Sequence, residues 1–370
     1  MKAIAIEPGR PGSIHVRESD TPSLAEIPGD AGVRVRVLEV GLCGTDGELL
    51  AGEFGLAPDG DDHLVLGHEN LGQVVEVGAG AAERFSVGDL VVATVRRPGD
   101  SDYDRAGLYD LSTDPDVHER GVRRFHGFLA EEYVEDVEFL VPVPPATAHV
   151  AVLAEPMSGV GKALRVADEI QQRLRIWEPQ RALVTGAGAI GLLAVLTLRQ
   201  RGIEVTCWSR RPAPYANSEL VERMGARYVS AADLDLAATA AAHGPFDVAF
   251  EASGAADVIF EAAASVATNG ILVLFGLTPG TQLVEVDVGR FNQAFVLDNK
   301  ALVGSVTATR EDYADAVAAL GDAEADPAFL GVLPEMLTPR IEGLDLDAIR
   351  TRLEGSGGGI KAVVDLTRSA

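Results

Sequence analysis

The chain has 370 residues, 47% of them apolar, with 31 basic and 56 acidic side chains and a formal net charge of −25. That length predicts two domains with separate cores, and so much apolar content excludes a disordered chain. The acidity excludes nucleic acid and anionic membrane as partners, since both need a basic surface.

In chain order, Met1–Arg10 reads as a short strand, too short and too polar for a signal peptide. The apolar runs Val33–Val40, Leu71–Val77 and Leu90–Thr94 are cut by Gly, Pro and Asp, the rhythm of a small barrel or sandwich. His63, in the acidic stretch Asp59–His63, reads as solvated. Arg96–Arg124 is polar and poor in apolar residues, so it is expected to form a long surface lobe. Near Pro142–Pro145 the character changes. Ala151–Arg175 has helical spacing, and Trp177–Gln180 reads as a joint. From there strands (Ala182–Thr185, Glu204–Trp208, Val248–Glu251, Ile271–Gly276) alternate with helical stretches such as Ile190–Gln200, which predicts a parallel sheet covered on both faces. Phe291–Val306 reads as apolar strands able to pair across a two-fold axis. Glu311–Leu320 is helical, and Gly355–Gly359 is a local flexible loop. The terminal strand Ile360–Leu366 is expected to rejoin the sheet of the first domain. No apolar run approaches the roughly 18 residues of a membrane span.

Two cysteines 164 residues apart cannot build a disulfide framework, so a reducing cytoplasmic compartment is expected. Cys207, inside a strand, reads as core. Only Lys2, Lys162, Lys300 and Lys361 are lysines, and the other 27 basic residues are arginine. An acidic, lysine-poor surface repels itself until counterions screen it, which predicts a salt-rich cytosol. High-GC coding explains arginine for lysine but not the acidic excess.

Two constellations carry chemistry. Gly41-Leu42-Cys43-Gly44-Thr45-Asp46 is followed, 25 residues after the cysteine, by Gly67-His68-Glu69. A thiolate and an imidazole suit zinc. Glu155, in an apolar setting, is costly to bury unless paired or metal-bound. One cysteine, one histidine and one or two carboxylates leave a coordination position open, as in a catalytic zinc site. The plainer alternative makes Cys43 a small buried apolar residue and His68 a satisfied core histidine. The second constellation is Gly186-Ala187-Gly188-Ala189-Ile190-Gly191, a G-x-G-x-x-G string between an apolar strand and an apolar helix. Gly186 permits the tight turn, Gly188 lets the backbone approach a pyrophosphate, Gly191 allows close packing, and the helix N-terminus supplies N–H donors. The end of the next strand reads Trp208-Ser209-Arg210-Arg211, without the acid that would select NAD. Ser209, Arg210 and Arg211 suit a 2′-phosphate, so NADP is the expected coenzyme, with NAD as the alternative.

The G-L-C-G-T-D and G-H-E motifs, followed by Val74–Gly78 and Val87-Gly88-Asp89, resemble the zinc-containing medium-chain dehydrogenases over essentially the whole chain. Within that group Val95–Gly99, Glu119-Arg120-Gly121, His126-Gly127-Phe128 and Ala154-Glu155-Pro156 resemble the archaeal glucose 1-dehydrogenases, notably the salt-adapted ones. The resemblance implies an α/β chain: a β-rich chaperonin-10-like catalytic domain (1–155 and 308–370) plus a doubly wound Rossmann domain (156–307). It implies one catalytic zinc per chain with Cys43, His68, Glu69 and Glu155 around it, ligation shifting between Glu69, Glu155 and water. Thr45 matches the hydroxyl that contacts the reacting sugar oxygen and starts a proton relay. Glu119 and Glu155 match sugar-binding positions, as does Thr307. Gly276-Leu277-Thr278 and Ser305-Val306-Thr307 match segments beside the nicotinamide. The implied reaction is NAD(P)-dependent oxidation of D-glucose at C1 to the lactone, by a homodimer or homotetramer.

Two departures stand out. Where many relatives have a cysteine lobe for a second zinc, this chain has Gly99–Arg105 without cysteine, so one metal per chain is expected. Thr307 replaces an asparagine usual in the glucose enzymes, and it lacks the amide's paired donor and acceptor. That difference keeps a dehydrogenase of another aldose or polyol, such as galactose, xylose or sorbitol, as the alternative.

Overall fold

Val33, Val35, Val37 and Val40 are all essentially buried along Gly32–Leu42, which makes that strand the spine of a seven-stranded sheet. The description comes from a computed structural model covering residues 1–356 and 358–367. The sheet runs Leu140–Pro142, Leu90–Ala93, Glu69–Val77, Gly32–Leu42, Ala362–Asp365, Arg340–Glu342, with Glu132–Asp136 also pairing along the spine. The terminal strand does return to this sheet, antiparallel, with Ala362 opposite Leu42 and Val363 opposite Gly41. On the other side of the spine Gly41 faces Glu69. Three distant segments therefore meet at Gly41. The sheet closes over a core that includes Leu49, Leu66, Phe128, Leu129, Ile341 and Val364. These elements belong to a first unit of Met1–Ser158, Thr307–Gly321 and Leu333–Ala370. Gly357, within the predicted flexible loop, lies outside the described residues.

The expected surface lobe is more ordered than its composition implied. It contains the three-stranded sheet Arg96–Arg97, His118–Arg120, Arg124–Phe125. Arg97 and Arg120 are buried, and both pair with Glu135, Arg120 through Nε at 2.9 Å. Their guanidinium faces lie on aromatic rings, Arg97 4.2 Å from Phe139 and Arg120 4.0 Å from Phe125. Two cations sharing one buried carboxylate and stacking on rings need few aliphatic neighbours. The sequence pattern therefore looks like surface.

The tip of that lobe is closed by carboxylates. Asp114 accepts the Asp100 N–H at 2.8 Å and the Asp116 N–H at 2.9 Å. Asp104 accepts the Ser101 hydroxyl at 2.6 Å, the Ser101 N–H at 3.0 Å and the Ser112 hydroxyl at 2.7 Å. Burial works against the Asp104 charge, but these donors hold its carboxyl at about 2. A depressed carboxyl contributes its stability above the ordinary Asp range and loses it as pH falls toward the folded value. Asp104→Asn is thus expected to cost about 2 kcal/mol at pH 7, the penalty shrinking between about pH 4 and pH 2. Denaturant unfolding across that range checks it, and a pH-independent penalty would contradict it.

The second unit, Gly159–Val306 with Asp322–Val332, is a six-stranded parallel sheet. Its order is Arg227–Ser230, Glu204–Ser209, Arg181–Thr185, Phe246–Glu251, Val266–Leu274, Ala301–Gly304. In chain order of these strands that is 3-2-1-4-5-6, the doubly wound arrangement. Ala182, Leu183 and Val184 are fully buried in succession, as a strand covered on both faces requires. Cys207 is fully buried, and burial pushes its thiol up to about 12. Phe291–Val306 is not a pair of strands. Val288–Leu297 is a helix, and only Ala301–Gly304 is extended. Asp287 caps the helix by accepting the Arg290 N–H at 3.0 Å, and Phe291 and Phe295, one turn apart, pack on the core. Among the described residues no helix is long and apolar enough to cross a membrane.

Candidate functional site

Cys43 follows the spine strand directly and precedes the helix Gly44–Leu50. Its N–H donates to Asp46 at 3.0 Å, so a side chain from the first helical turn fixes the cysteine backbone. Asp46 is fully buried and also accepts the Gly67 N–H at 3.3 Å. Burial opposes its charge, but His68, the Cys43 amide and Lys361 hold its carboxyl below the ordinary range. Gly67 has a φ of +86°, and a Cβ there would press on Val40 and Leu129. That close turn carries His68 toward Cys43, whose sulfur lies 3.1 Å from His68 Nε2. His68 Nδ1 stands 3.5 Å from Asp46, an ion-pair separation beyond hydrogen-bond range.

Glu69 completes the group. Its Oε1 accepts from Lys361 Nζ at 2.6 Å, and its Oε2 is buried without a hydrogen-bond partner. A Cβ on Gly41 would collide with that oxygen, so a glycine opposite Glu69 makes its room. Ligand atoms of Cys43, His68 and Glu69 lie within 4.8 Å of one another. A soft sulfur, an imidazole and an orphaned carboxylate oxygen fit a zinc ion, which would satisfy that oxygen. Lys361 is buried too. Burial disfavours its charge, but Glu69 and Cys43 outweigh that and raise its pKa.

Glu155 opens the helix Ala154–Gln171 and stands outside the 4.8 Å group. Burial pushes its carboxyl up to about 7, with Glu69 adding to the shift and His68 and Lys361 opposing it. It therefore sits in the field of the same cluster. Thr45 is half-buried on the helical turn between Cys43 and Asp46. Glu119 is engaged by Arg96, through NH2 at 2.7 Å and Nε at 3.0 Å. Its small sheet abuts the histidine loop, because a Cβ on Gly121 would run into the Gly67 carbonyl. Lys361 and Asp46 received no role from sequence reading. The signal for Lys361 was its place, as one of four lysines, at the mouth of the returning strand.

In the second unit Gly186 has a φ of +91°, as the tight turn needs. The Cβ position of Gly188 is open, with nothing within 4 Å, whereas a Cβ on Gly191 would strike the Gly186 carbonyl. Ala189 and Ile190 open the helix Ala189–Gln200. Asn217 Nδ2 donates to the Ala187 carbonyl at 2.6 Å and braces the turn, a contact the motif does not reveal. Ser209 ends its strand, and Arg210 and Arg211 follow exposed. Gly276 leans on the Glu251 carbonyl through its N–H at 2.9 Å, Leu277 is exposed and Thr278 half-buried. Ser305 N–H donates to Leu274 at 3.1 Å, and the Val306 carbonyl accepts from Lys162 Nζ at 3.0 Å. Thr307, in the first unit, has a φ of +52°.

His63 is buried rather than solvated, its ring 4.7 Å from that of His126. With Asp61 the two histidines form another group of metal-capable side chains. The Val65 N–H, however, donates to His126 Nδ1 at 3.2 Å. That places the ring proton on Nε2, 3.0 Å from Asp61, and leaves His126 no lone pair for a metal.

A β-rich unit with a soft metal set and a doubly wound unit with a glycine-rich turn divide the work as zinc-dependent medium-chain dehydrogenases do. The family profile described as Alcohol dehydrogenase GroES-like domain matches residues 29–145, and Glucose dehydrogenase C-terminus matches residues 148–366. The chain is 40% identical to the glucose 1-dehydrogenase of Methanocella arvoryzae, over 99% of each chain. It is 35% identical to that of Haloarcula marismortui, over 94% of this chain and 97% of the other. A solved Haloferax mediterranei glucose dehydrogenase, in complex with NADP, zinc and gluconolactone, superposes with a TM-score of 0.87 at 31% identity, over 99% of each chain. The chain belongs to the glucose 1-dehydrogenase family.

Proposed function

We propose that this chain oxidises D-glucose at C1 to the lactone, with NADP as hydride acceptor and one zinc per chain. The observation that carries the reading is the convergence of Cys43, His68 and Glu69 on one point. Zinc bound there supplies the Lewis acidity that lowers the pKa of the anomeric hydroxyl. Asp46 and Lys361 hold His68 and Glu69 in place. Thr45 receives the hydroxyl proton and passes it toward solvent, while Glu119, Glu155 and Thr307 hold other sugar hydroxyls. Gly276–Thr278 and Ser305–Thr307 are the segments that would hold the nicotinamide, which when bound would supply the hydride acceptor for C1. The turn at Gly186, Gly188, Ala189, Ile190 and Gly191 receives the pyrophosphate, and Ser209, Arg210 and Arg211 the 2′-phosphate. A panel of sugars and polyols with NADP and NAD, run in high salt on zinc-loaded protein, tests it. Lactone formation from glucose supports the reading.

A second reading, another aldose or a polyol as substrate, is favoured by Thr307. A β-branched residue at a φ of +52° is strained, whereas asparagine tolerates that backbone. Thr307→Asn is expected to stabilise the chain by about 1 kcal/mol and to lower the KM for glucose. Unchanged stability and KM would count against a sugar-binding Thr307, and polyol turnover without lactone would establish the second reading.

The acidic, lysine-poor surface supports a salt-rich cytoplasm as the setting. A homodimer or homotetramer is supported by an apolar surface on the second unit. Leu277, Leu283, Val288, Val296, Leu297 and Val306 are each more than half exposed, and Ala301–Gly304 is an edge strand of the sheet. Leu297→Glu with Leu283→Glu is expected to yield monomers in analytical ultracentrifugation, and an unchanged assembly would assign the interface elsewhere.

A further inference from the structure

The loop that leaves the strand Glu204–Ser209 carries two exposed arginines, and the second of them, Arg211, is braced. The Arg211 guanidinium lies 4.3 Å over the ring of Tyr215. Its backbone carbonyl accepts the Tyr228 hydroxyl at 2.5 Å, from the neighbouring strand Arg227–Ser230. The two phenols meet at 3.2 Å, with their rings edge to face at 5.8 Å. Tyr215 is itself fixed, because its N–H donates to Ser218 Oγ at 2.9 Å where the helix Ala216–Arg223 begins. Main chain and side chain of Arg211 are thus held from a strand and from the start of a helix.

We infer that Tyr215 and Tyr228 are positioning residues that pre-set Arg211 for the coenzyme 2′-phosphate and so decide NADP over NAD. The inference rests on the proposed NADP reading. Stacking uses the flat face of a guanidinium and leaves its in-plane N–H fork free for a bidentate phosphate. Arginine loses substantial rotamer freedom on binding, and a side chain already held in place loses less. In this chain the need is acute. A net charge of −25 repels a phosphate at long range, and in molar salt the screening length of about 3 Å removes any distant attraction. Only contacts made at the loop remain to read the phosphate.

The test measures NADPH and NADH dissociation constants on the full-length, zinc-loaded protein by fluorescence titration. Arg211→Ala is expected to weaken NADPH about ten-fold or more and leave NADH unchanged. Tyr215→Leu and Tyr228→Phe are each expected to weaken NADPH about two- to five-fold, again sparing NADH. Tyr215→Phe, which keeps the ring, is expected to stay near the wild-type value. If Arg211→Ala leaves the NADPH constant unchanged, the NADP reading of this loop fails. If Arg211→Ala acts selectively while both tyrosine variants bind NADPH normally, the positioning role fails and the NADP reading stands. Equal losses for NADPH and NADH in the tyrosine variants would make the pair a general support of the fold and overturn the inference.

Discussion

Exchange of Cys43 and His68 together for alanine is expected to leave a folded chain that retains no zinc and turns over sugar at least about a thousand-fold more slowly. The size follows from the several kcal/mol that a metal Lewis acid contributes to a transition state that develops negative oxygen. Both residues are exchanged at once because each faces the other, sulfur to Nε2 at 3.1 Å, and removing one alone leaves half of the donor pair in place. Metal content, circular dichroism and lactone formation are the three readings. Full turnover by the double variant, or by wild-type protein after exhaustive chelation, would remove the basis of the proposed mechanism.

Lys361→Met is expected to lower stability by about 3–5 kcal/mol in metal-free protein. Lys361 and Glu69 are both buried and in contact at 2.6 Å, and Glu69 Oε2 already lacks a partner. Without the ammonium the buried carboxylate loses its one counter-charge in contact. Glu69→Gln in the same chain removes that stranded charge, so the double variant is expected to recover most of the loss. Denaturant unfolding of wild type, both single variants and the double variant gives the coupling directly. Losses that simply add would show that the two groups do not act as a pair.

These two expectations concern opposite sides of one carboxylate. Lys361 occupies one oxygen of Glu69, and a zinc ion suits the other. Gly41 leaves space for that geometry, which accounts for glycine at a position flanked by two paired strands. The role of Glu69 is therefore tied to the end of the chain, 292 residues away from it.

Much of the site was legible in the residues themselves because its signals are local. The glycine-rich turn needs a strand, three glycines and a helix within a dozen positions, and each glycine has its own steric reason. Cys43 and His68 announce themselves by donor chemistry, since a thiol and an imidazole between glycines have few common purposes. Arg210 and Arg211 follow directly on the strand that presents them. The alternation of apolar strands and helices likewise declares a doubly wound sheet, because burial on both faces requires unbroken apolar runs.

Short apolar runs were less informative. Phe291–Leu297 is compatible with a strand or a helix by composition. Its conformation follows from the Asp287 cap and from core contacts one turn apart. Buried polar groups were hidden altogether. Arg97 and Arg120 look like surface residues until Glu135 and the rings of Phe139 and Phe125 are in place. His63 looks solvated until His126 arrives from 63 positions along the chain.

The sequence by itself determined the two-unit α/β plan, the glycine-rich turn between strand and helix, the donor types of the proposed metal set and the acidic composition, because each depends on neighbours along the chain. Only the tertiary structure decided that Lys361 meets Glu69, that two tyrosines hold Arg211 and that Thr307 adopts a left-handed backbone. Those pairings form between segments whose separation in sequence says nothing about their distance in space, and their energies come from burial that exists only once the sheets have assembled.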